Sequence, residues 1–242
     1  MATGEIEIVG YFGVIMMVKR KIGLKKRDDL KIKAVIFDIG GVLRLHQGIV
    51  FRNEHLSGVH EYVAKKLDLE VDDWFDMVHS YADDVCVGKM KRGEFMSLVS
   101  KNANLNVSDL EKAFKMAYIK LRKRNSELYR FAHNLKKKGF VVGVLSNQWN
   151  VTKPFEAPDK DMRGFDPVII SCDVGLQKPD KKIYRLLFER VKKIDGKIKK
   201  SEIVFIDNMI ENIEATEKFG IKGILFESNE QVIGELKGMG VG

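Results

Sequence analysis

The order of apolar and polar positions predicts a chain that alternates strands and helices from Lys33 onward. Five short runs rich in β-branched residues are predicted strands: KAVIFDI (33–39), VVGVLSN (141–147), PVIIS (167–171), EIVFID (202–207) and GILF (223–226). Their near-continuous apolar character is typical of parallel strands buried on both faces. This pattern predicts an α/β fold with a largely parallel sheet.

Helical periodicity fills the intervals between these runs. NSELYRFAHNLKKKG (125–139) places apolar residues on one face and lysines at its end, and Gly139 suits a left-handed cap there. KIYRLLFERV (182–191) and IENIEATEKFG (210–220) are further predicted helices.

The interval from about residue 46 to 125 breaks the alternation. It offers no convincing strand, and its helical patterns are HEYVAKKL (60–67), VDDWFDMVHSYA (71–82) and SDLEKAFKMAYIKL (108–121), the last with a Ser108–Glu111 capping box. We therefore predict an α/β core from residues 31–45 and 126–242, an inserted all-α cap at 46–125, and an amino-terminal extension at 1–30.

Composition fits a folded protein without a long linker. The chain has 242 residues, 45% of them apolar and 31% charged, which suffices for one α/β core with an insertion. Two cysteines, Cys86 and Cys172, are far apart and fit no metal-ligand spacing. They suit buried thiols in a reducing compartment, so we expect a cytoplasmic protein.

The net charge of +8 is concentrated in one short segment. Residues 19–33 hold eight Lys or Arg against two Asp, a local charge of +6, which indicates a solvated basic linker, and no nucleic-acid partner is expected. The apolar run IVGYFGVIMMV (8–18) is too short for a transmembrane segment. Its basic residues follow it, which argues against a signal peptide. Three interpretations stay open: a poorly ordered extension or over-long start, an extra packed element, or a weak membrane-surface anchor.

Candidate chemistry lies at the carboxyl ends of the predicted strands. The first strand ends in Asp38, the second in Ser146 and Asn147, and the fourth in Asp207 and Asn208, while SCDVGLQKPD places Lys178 in a loop after the third. Ligands of open parallel sheets bind beyond these ends. Two carboxylates, a hydroxyl and an ammonium together suit a phosphate group and Mg²⁺.

The segments VIFDIGGVL, VGVLSNQW, SCDVGLQKPDKKIY and VFIDNMIENIEA resemble the four motifs of the haloacid dehalogenase (HAD) superfamily, in its phosphatase-like branch. The resemblance covers about residues 31–230 and implies a doubly wound Rossmann-like sheet with a helical cap after the first motif. It also implies that Asp38 is a nucleophile forming an aspartyl-phosphate, that Ser146 and Lys178 bind the phosphoryl group, and that Asn147 lies beside it. Asp38, Asp207 and the carbonyl of Gly40 would hold Mg²⁺.

Two positions depart from the family pattern. Phosphatases of the family usually have a second aspartate at position 40, which protonates the leaving group, and this chain has Gly40. Acid–base assistance is worth about 10²–10⁴-fold, so we expect a slower enzyme or one restricted to good leaving groups. Asn208 stands where a second aspartate is common, and we expect it to weaken Mg²⁺ binding. His46 is a candidate replacement acid, although a surface-loop histidine is the favoured interpretation.

The leading functional prediction is a Mg²⁺-dependent hydrolase of phosphomonoesters, acting on a small phosphorylated metabolite. The main alternative is a non-catalytic phosphate-binding or regulatory protein of the same fold, which Gly40 and Asn208 favour. A 2-haloacid dehalogenase is a minor alternative, disfavoured because the acidic IDN of 206–208 suits a metal site. Lys89, Lys91 and Arg92 could reach an anionic substrate, but a solvated surface is favoured for them. Oligomeric state is not predicted.

Overall fold

The computed structural model describes residues 31–46 and 58–242. The strands are β1 (Ala34–Phe37), β2 (Arg44–His46), β3 (Arg122–Arg124), β4 (Val141–Ser146), β5 (Val168–Ile170), β6 (Ile203–Asp207) and β7 (Lys222–Leu225). The helices are α1 (Val59–Lys66), α2 (Val71–His79), α3 (Ala82–Cys86), α4 (Arg92–Asn102), α5 (Val107–Leu121), α6 (Ser126–Lys137), α7 (Lys153–Glu156), α8 (Asp159–Met162), α9 (Ser171–Val174), α10 (Lys181–Ile194), α11 (Ile210–Phe219) and α12 (Asn229–Gly238), with a 3₁₀ turn at Lys200–Glu202. Predictions for residues 1–30 lie outside the described residues.

A five-stranded parallel sheet forms the core, in the order β5-β4-β1-β6-β7. The central strand β1 pairs with β4 on one side and β6 on the other. Strand order therefore reverses around β1, which is where ligands of open α/β sheets bind. The five predicted strands and the parallel α/β fold are confirmed.

Helices cover both faces of this sheet. Along β1, Val35 and Phe37 face a hydrophobic cluster that includes residues of α6 and α12, and Ala34 and Ile36 face a second cluster with residues of α10 and α11. This period-two division of one buried strand between two layers explains its continuous apolar sequence. The doubly wound arrangement is confirmed.

Helices α1 to α5 form a helical insert, Val59–Leu121, between β2 and β3. Its residues pack around a hydrophobic cluster of their own, which Trp74, Phe95 and Phe114 fill without exposure to solvent. Val151, from the segment after β4, joins the same cluster. The insert therefore has its own core and also contacts the α/β layer.

The insert is bounded by a two-stranded antiparallel ribbon that the sequence did not predict. Strands β2 and β3 pair with Arg44 opposite Arg124 and His46 opposite Arg122. The prediction of no strand between residues 46 and 125 was wrong, because three-residue strands with mostly charged side chains carry no apolar alternation.

Two helix predictions in the insert also need correction. The helix predicted over 71–82 ends at His79, and a separate helix, α3, begins at Ala82. The predicted Ser108–Glu111 capping box is absent, because α5 begins at Val107 and Ser108 already lies in its first turn. Gly139, in contrast, has φ +90° just after α6, as the left-handed cap required.

Candidate active site

Four predicted side chains meet at the carboxyl edge of the sheet. Asp38 directly follows β1, Ser146 ends β4 and Asp207 ends β6, while Lys178 enters from the loop between α9 and α10. All four side chains are buried, and Asp207 has no exposed surface. The topology brings them together because neighbouring parallel strands end on the same side.

The Lys178 ammonium lies between the two carboxylates. Its Nζ is 2.5 Å from Oδ2 of Asp207 and 3.0 Å from Oδ1 of Asp38. Burial alone would lower the pKa of Lys178, but the charges of Asp207 and Asp38 outweigh burial and raise it. Lys178 therefore stays protonated and supplies one buried positive charge to two negative ones.

Burial is also the main influence on Asp38, whose pKa rises to about 6. Lys178 lowers this pKa, the charge of Asp207 raises it, and a hydrogen bond with Ser146 lowers it. Gln148 Nε2 donates to Ser146 Oγ at 3.0 Å, which leaves the Ser146 hydroxyl proton for Asp38. The resemblance to the family implied that Gln148, like Asn147, offers donors to the phosphate, and the structure shows its side-chain amide donating to Ser146.

Asp207 is fixed by donors from the segment that follows β6. Its Oδ1 accepts from the main-chain N of Met209 at 2.8 Å, and its Oδ2 accepts from Asn212 Nδ2 at 3.0 Å. Asn212 is itself buried on the first turn of α11. The carboxylate orientation is thus set by the helix that continues the chain, a relationship that sequence analysis missed.

Asn147 holds the lysine loop. Its Nδ2 donates to the Lys178 carbonyl at 2.9 Å, and its Oδ1 accepts from the Lys178 main-chain N at 2.9 Å. This pair joins the end of β4 to the loop after α9, next to the cis peptide between Lys178 and Pro179. The structure therefore places the Asn147 amide on the protein main chain, where it fixes Lys178.

The glycine turn after Asp38 has two different requirements. A Cβ at Gly40 would meet no atom within 4 Å, whereas a Cβ at Gly41 would lie 2.6 Å from the Asn208 side chain, and Gly41 has φ +80°. Glycine is therefore required at position 41, by its positive φ and by its closeness to Asn208, and not at position 40. Gly40 lies in open space at the site.

The oxygen atoms at this edge suit a hard divalent cation. Asp38 and Asp207 share one lysine, so one negative charge stays uncompensated, and carboxylate and main-chain oxygens are the ligands that Mg²⁺ accepts. Across residues 31–46 and 58–242, no group of three or more His, Cys, Asp or Glu side chains is arranged to hold a metal ion. A cation here would depend on two carboxylates and a main-chain oxygen such as that of Gly40.

A cavity of about 400 Å³ lies between this edge and the helical insert. Asp38, Gly40, Lys178 and Asn208 line it from the sheet side. The opposite wall and the sides are lined by His60, His79 and Tyr118 of the insert, His46 and Arg122 of the ribbon, and Trp149, Thr152 and Glu156 from the segment after β4.

His46 is not a surface-loop residue, so the favoured interpretation of its position was wrong. It ends β2, lines the cavity and contacts Arg122. Burial, with a smaller effect of Arg122, lowers its pKa to about 4. A neutral imidazole is therefore present at neutral pH, and it is a poor proton donor.

The basic residues of the 85–95 segment point elsewhere. Lys89 pairs with Asp84, Lys91 donates to the Gly88 carbonyl, and Arg92 pairs with Glu111 on the insert surface. None of the three lines the cavity. The favoured interpretation of a solvated surface agrees with these contacts.

Three known proteins resemble parts or all of this architecture. A bifunctional epoxide hydrolase 2 of Sus scrofa is 30% identical over 128 residues, 48% of this chain and 21% of that protein. A HAD family enzyme of Bacteroides thetaiotaomicron, solved with magnesium and inorganic phosphate, has a TM-score of 0.61 at 19% identity, over 82% of this chain and 96% of that one. A dehalogenase solved with an intermediate has a TM-score of 0.51 at 18% identity, over 82% of this chain and 86% of that one.

The extent of these similarities limits what each shows. The chain spans two fifths or less of the length of the curated relatives that it matches. The solved structures share its fold at low identity. A profile of the haloacid dehalogenase-like hydrolases matches residues 32–220, which include every site residue named above. The protein therefore belongs to the haloacid dehalogenase-like hydrolase family.

Proposed function

We propose that the protein is a Mg²⁺-dependent hydrolase that removes the phosphoryl group from a small phosphorylated metabolite. The observation that carries this proposal is the position of the Lys178 ammonium, within 3.0 Å of both Asp38 and Asp207 at the base of a cavity. One cation between two buried carboxylates leaves a site that gains from binding a further cation, which in turn attracts a phosphate.

Each residue has a role in the proposed reaction. Asp38 attacks phosphorus and forms an aspartyl-phosphate, which water then hydrolyses. Ser146 donates its hydroxyl proton to a phosphoryl oxygen, and Lys178 neutralises negative charge on the transferring group. Mg²⁺ held by Asp38, Asp207 and the Gly40 carbonyl supplies further charge neutralisation when bound. Asn147 and Gln148 act as positioning residues, for Lys178 and Ser146.

Similar proteins support a magnesium and phosphate site. The Bacteroides thetaiotaomicron enzyme was solved with both ligands, and its fold covers 82% of this chain. The acidic and basic side chains described above are the kinds of groups that such ligands need. We therefore propose Mg²⁺ as the cofactor.

The helical insert is proposed to act as a cap on residues 31–45 and 126–242. Its side chains His60, His79 and Tyr118 face the reacting edge across the cavity. The ribbon of β2 and β3 connects it to the core, so movement at the ribbon would open the cavity to substrate. A cavity of about 400 Å³ suits a small molecule as the substrate.

The protein is proposed to work in a reducing compartment such as the cytoplasm. Cys86 and Cys172 are free, and burial raises the pKa of both thiols, which makes them poorly reactive. No helix among residues 31–46 and 58–242 has the length and apolar character needed to cross a bilayer.

A binding or regulatory role is the second candidate, and Gly40 is the observation that favours it. With no side chain at position 40, the usual acid of the family is missing, while the residues proposed to bind phosphate and metal, Asp38, Lys178 and Asp207, are present. A dehalogenase is a weaker candidate, supported by a similar fold alone.

One assay separates these functions. Purified protein is incubated with Mg²⁺ and either an aryl phosphate or acetyl phosphate, and phosphate release is compared with that of Asp38→Asn and of a sample with chelator. Asp173→Asn, which alters an exposed carboxylate paired with Lys153, is the matched control. Release that requires Asp38 and Mg²⁺ supports the hydrolase. Tight phosphate binding with no release from either substrate would favour the binding protein.

A further inference from the structure

A buried carboxylate that the sequence did not predict also lines the cavity. Glu156, the last residue of α7, is 2% exposed and lines the same cavity as Asp38 and Lys178. Its Oε1 lies 3.0 Å from Nε of Arg122, while its Oε2 is shielded from solvent and has no hydrogen-bond partner among the described residues. Buried polar atoms are rarely left without a partner, so this oxygen needs an explanation.

The side chain is held in place from two directions. Arg44 Nε donates to the Glu156 main-chain carbonyl at 2.9 Å, and Arg122 pairs with one carboxyl oxygen. Both arginines belong to the ribbon that joins the insert to the core. Glu156 therefore keeps one carboxyl oxygen without a partner among the described residues, on a residue held at both its main chain and its side chain, and fixed positioning is what a proton-transfer group requires.

The charges around Glu156 act on its pKa in both directions. Burial raises the pKa of the Glu156 carboxyl, the positive charges of Arg122 and Arg44 lower it, and the negative charge of Asp38 raises it. The net direction is upward. The titratable or charged groups that face it from the surrounding elements are Asp38 of the β1 edge, Arg44 and His46 of β2, Arg122 of β3, Tyr118 of α5 and Tyr129 of α6.

The reaction needs a proton donor from elsewhere because position 40 is a glycine. No side chain at position 40 can protonate a leaving group, and the space around it is open. His46 is held neutral beside Arg122 and does not supply the proton. Glu156 lines the same cavity as the nucleophile, and the charge of Asp38 acts on it, so a phosphate ester bound at Asp38 would occupy a cavity that both carboxylates line.

We propose that Glu156 is the general acid and base of the reaction, in place of the acid missing at position 40. This rests on the proposed phosphatase function. In the first step, Asp38 forms a bond to phosphorus, the bond from phosphorus to the leaving oxygen breaks, and protonated Glu156 gives its proton to that oxygen to release an alcohol. In the second step, Glu156 takes a proton from water as the water oxygen bonds to phosphorus. The bond from phosphorus to the Asp38 oxygen breaks, which releases phosphate and leaves Asp38 as a carboxylate and Glu156 protonated.

The test compares Glu156→Gln with the wild type on a series of phosphate esters. A poor leaving group needs the acid, so kcat/KM for alkyl phosphates falls by about 10²–10³-fold. The kcat/KM for acetyl phosphate and activated aryl phosphates changes less than about threefold, because these groups leave without a proton. Loss of the base also makes the variant accumulate phosphorylated enzyme, seen as a burst of the aryl alcohol, and removes the alkaline limb of the pH profile for alkyl esters.

Asp161→Asn is the matched control. Asp161 is a buried carboxylate on the neighbouring helix α8, it pairs with Arg44 and Arg124 of the same ribbon, and it does not line the cavity. Its variant loses a comparable buried ion pair, so any loss caused by a weakened ribbon affects all esters alike. We expect no change in leaving-group dependence for Asp161→Asn.

A rescue and a gain test complete the design. Gly40→Asp added to Glu156→Gln restores kcat/KM for alkyl esters at least tenfold, because it supplies an acid at the position where phosphatases of the family usually have one. In the wild type, Gly40→Asp raises kcat/KM for alkyl esters by less than about threefold, since Glu156 already supplies the acid. This second comparison needs no Glu156 variant. It therefore still tests whether an acid is missing from the wild type if Glu156→Gln does not fold.

Two results would overturn the assignment. One is an equal loss on alkyl, aryl and acetyl phosphates in Glu156→Gln, which would make the carboxylate a structural partner of Arg122. The other is a large gain on alkyl esters when Gly40→Asp is placed in the wild type. A wild type that hydrolyses none of the esters would instead overturn the proposed function, so the two failures are distinguishable.

Discussion

The ammonium of Lys178 lies 2.5 Å from Oδ2 of Asp207, and neither side chain has more than 2% of its surface exposed. Asp207 accepts two further hydrogen bonds, from Met209 N and Asn212 Nδ2. A buried ion pair that is this well satisfied is costly to break, because either partner left alone is a buried charge without compensation. The pair therefore links the stability of the core to the chemistry of the site.

Replacing Lys178 by Met should destabilise the protein and make it depend on Mg²⁺. Removing one partner of a buried pair costs about 3–5 kcal/mol in free energy of unfolding. Here two carboxylates lose their shared cation. Urea unfolding in chelator measures the cost. Added Mg²⁺ should recover more stability in Lys178→Met than in the wild type, because it replaces the missing charge.

Lys153→Met is the comparison for this prediction. Lys153 pairs with Asp173 at 2.7 Å, but both side chains are substantially exposed. An exposed pair is worth about 0–1 kcal/mol, so this variant should unfold almost as the wild type does. Equal costs for the two lysines would contradict the importance of the buried pair.

The sheet and its edge could be predicted from sequence for a simple physical reason. A parallel strand buried on both faces is a continuous apolar run, and the polar residue that ends it must lie at the shared edge. Asp38, Ser146 and Asp207 were found in this way.

The ribbon and its ion pairs could not be predicted in the same way. Strands β2 and β3 have three residues each and few apolar positions, so no periodicity indicates them. Arg44 meets Asp161 across 117 positions of sequence, and only the folded chain shows that pairing. Glu156 belongs to no motif, and its functional interest comes from its burial and from the cavity that it lines.

Asn147→Ala should reduce activity by moving Lys178. The variant leaves the main-chain N–H and carbonyl of Lys178 without the partners that Asn147 provides at 2.9 Å. Unsatisfied polar groups of this kind cost about 1–3 kcal/mol, so kcat/KM should fall about tenfold or more. Asn147→Asp keeps the side-chain acceptor and loses the donor, so its kcat/KM should lie between those of the wild type and Asn147→Ala.

Asn229→Ala tests whether the loss of any side-chain amide has this effect. Asn229 donates to Asn125 and Glu127, and it does not line the cavity. We expect a loss of stability at most, with kcat/KM unchanged. A similar fall in kcat/KM for Asn229→Ala would show that the effect of Asn147→Ala is not local.

Adjacent glycines in the first motif should respond differently to alanine. Gly41→Ala places a Cβ 2.6 Å from the Asn208 side chain on a residue with φ +80°, and should cost about 1–2 kcal/mol in free energy of unfolding. Gly40→Ala meets no atom within 4 Å and should cost less than about 0.5 kcal/mol. Chemical denaturation of both variants measures the difference. Equal costs would contradict the conformation of this turn.

Acid should destabilise the insert through His60. This histidine is buried on α1, its Nδ1 accepts from Trp74 Nε1 at 3.1 Å, and burial, with a smaller effect of Arg122, lowers its pKa to about 3. The unfolded chain binds a proton at this position below its ordinary pKa of about 6.5, whereas the folded chain does not. Stability is therefore fully present above pH 6.5 and decreases as the pH falls towards 3, by up to about 1.4 kcal/mol per pH unit.

The measurement is the free energy of unfolding between pH 7 and 4 for the wild type and for His60→Gln. The variant cannot titrate at this position, so its stability should decline less steeply with acid even if it is less stable at pH 7. His79→Gln, at the exposed end of α2, should keep the slope of the wild type. Equal slopes in the wild type and His60→Gln would mean that His60 is not the group through which acid weakens the insert. The centroid of the His60 ring lies within 6.1 Å of those of Trp74, Phe114 and Trp149, so protonation of His60 would place a charge inside this aromatic cluster, of which His60 and Trp149 line the cavity.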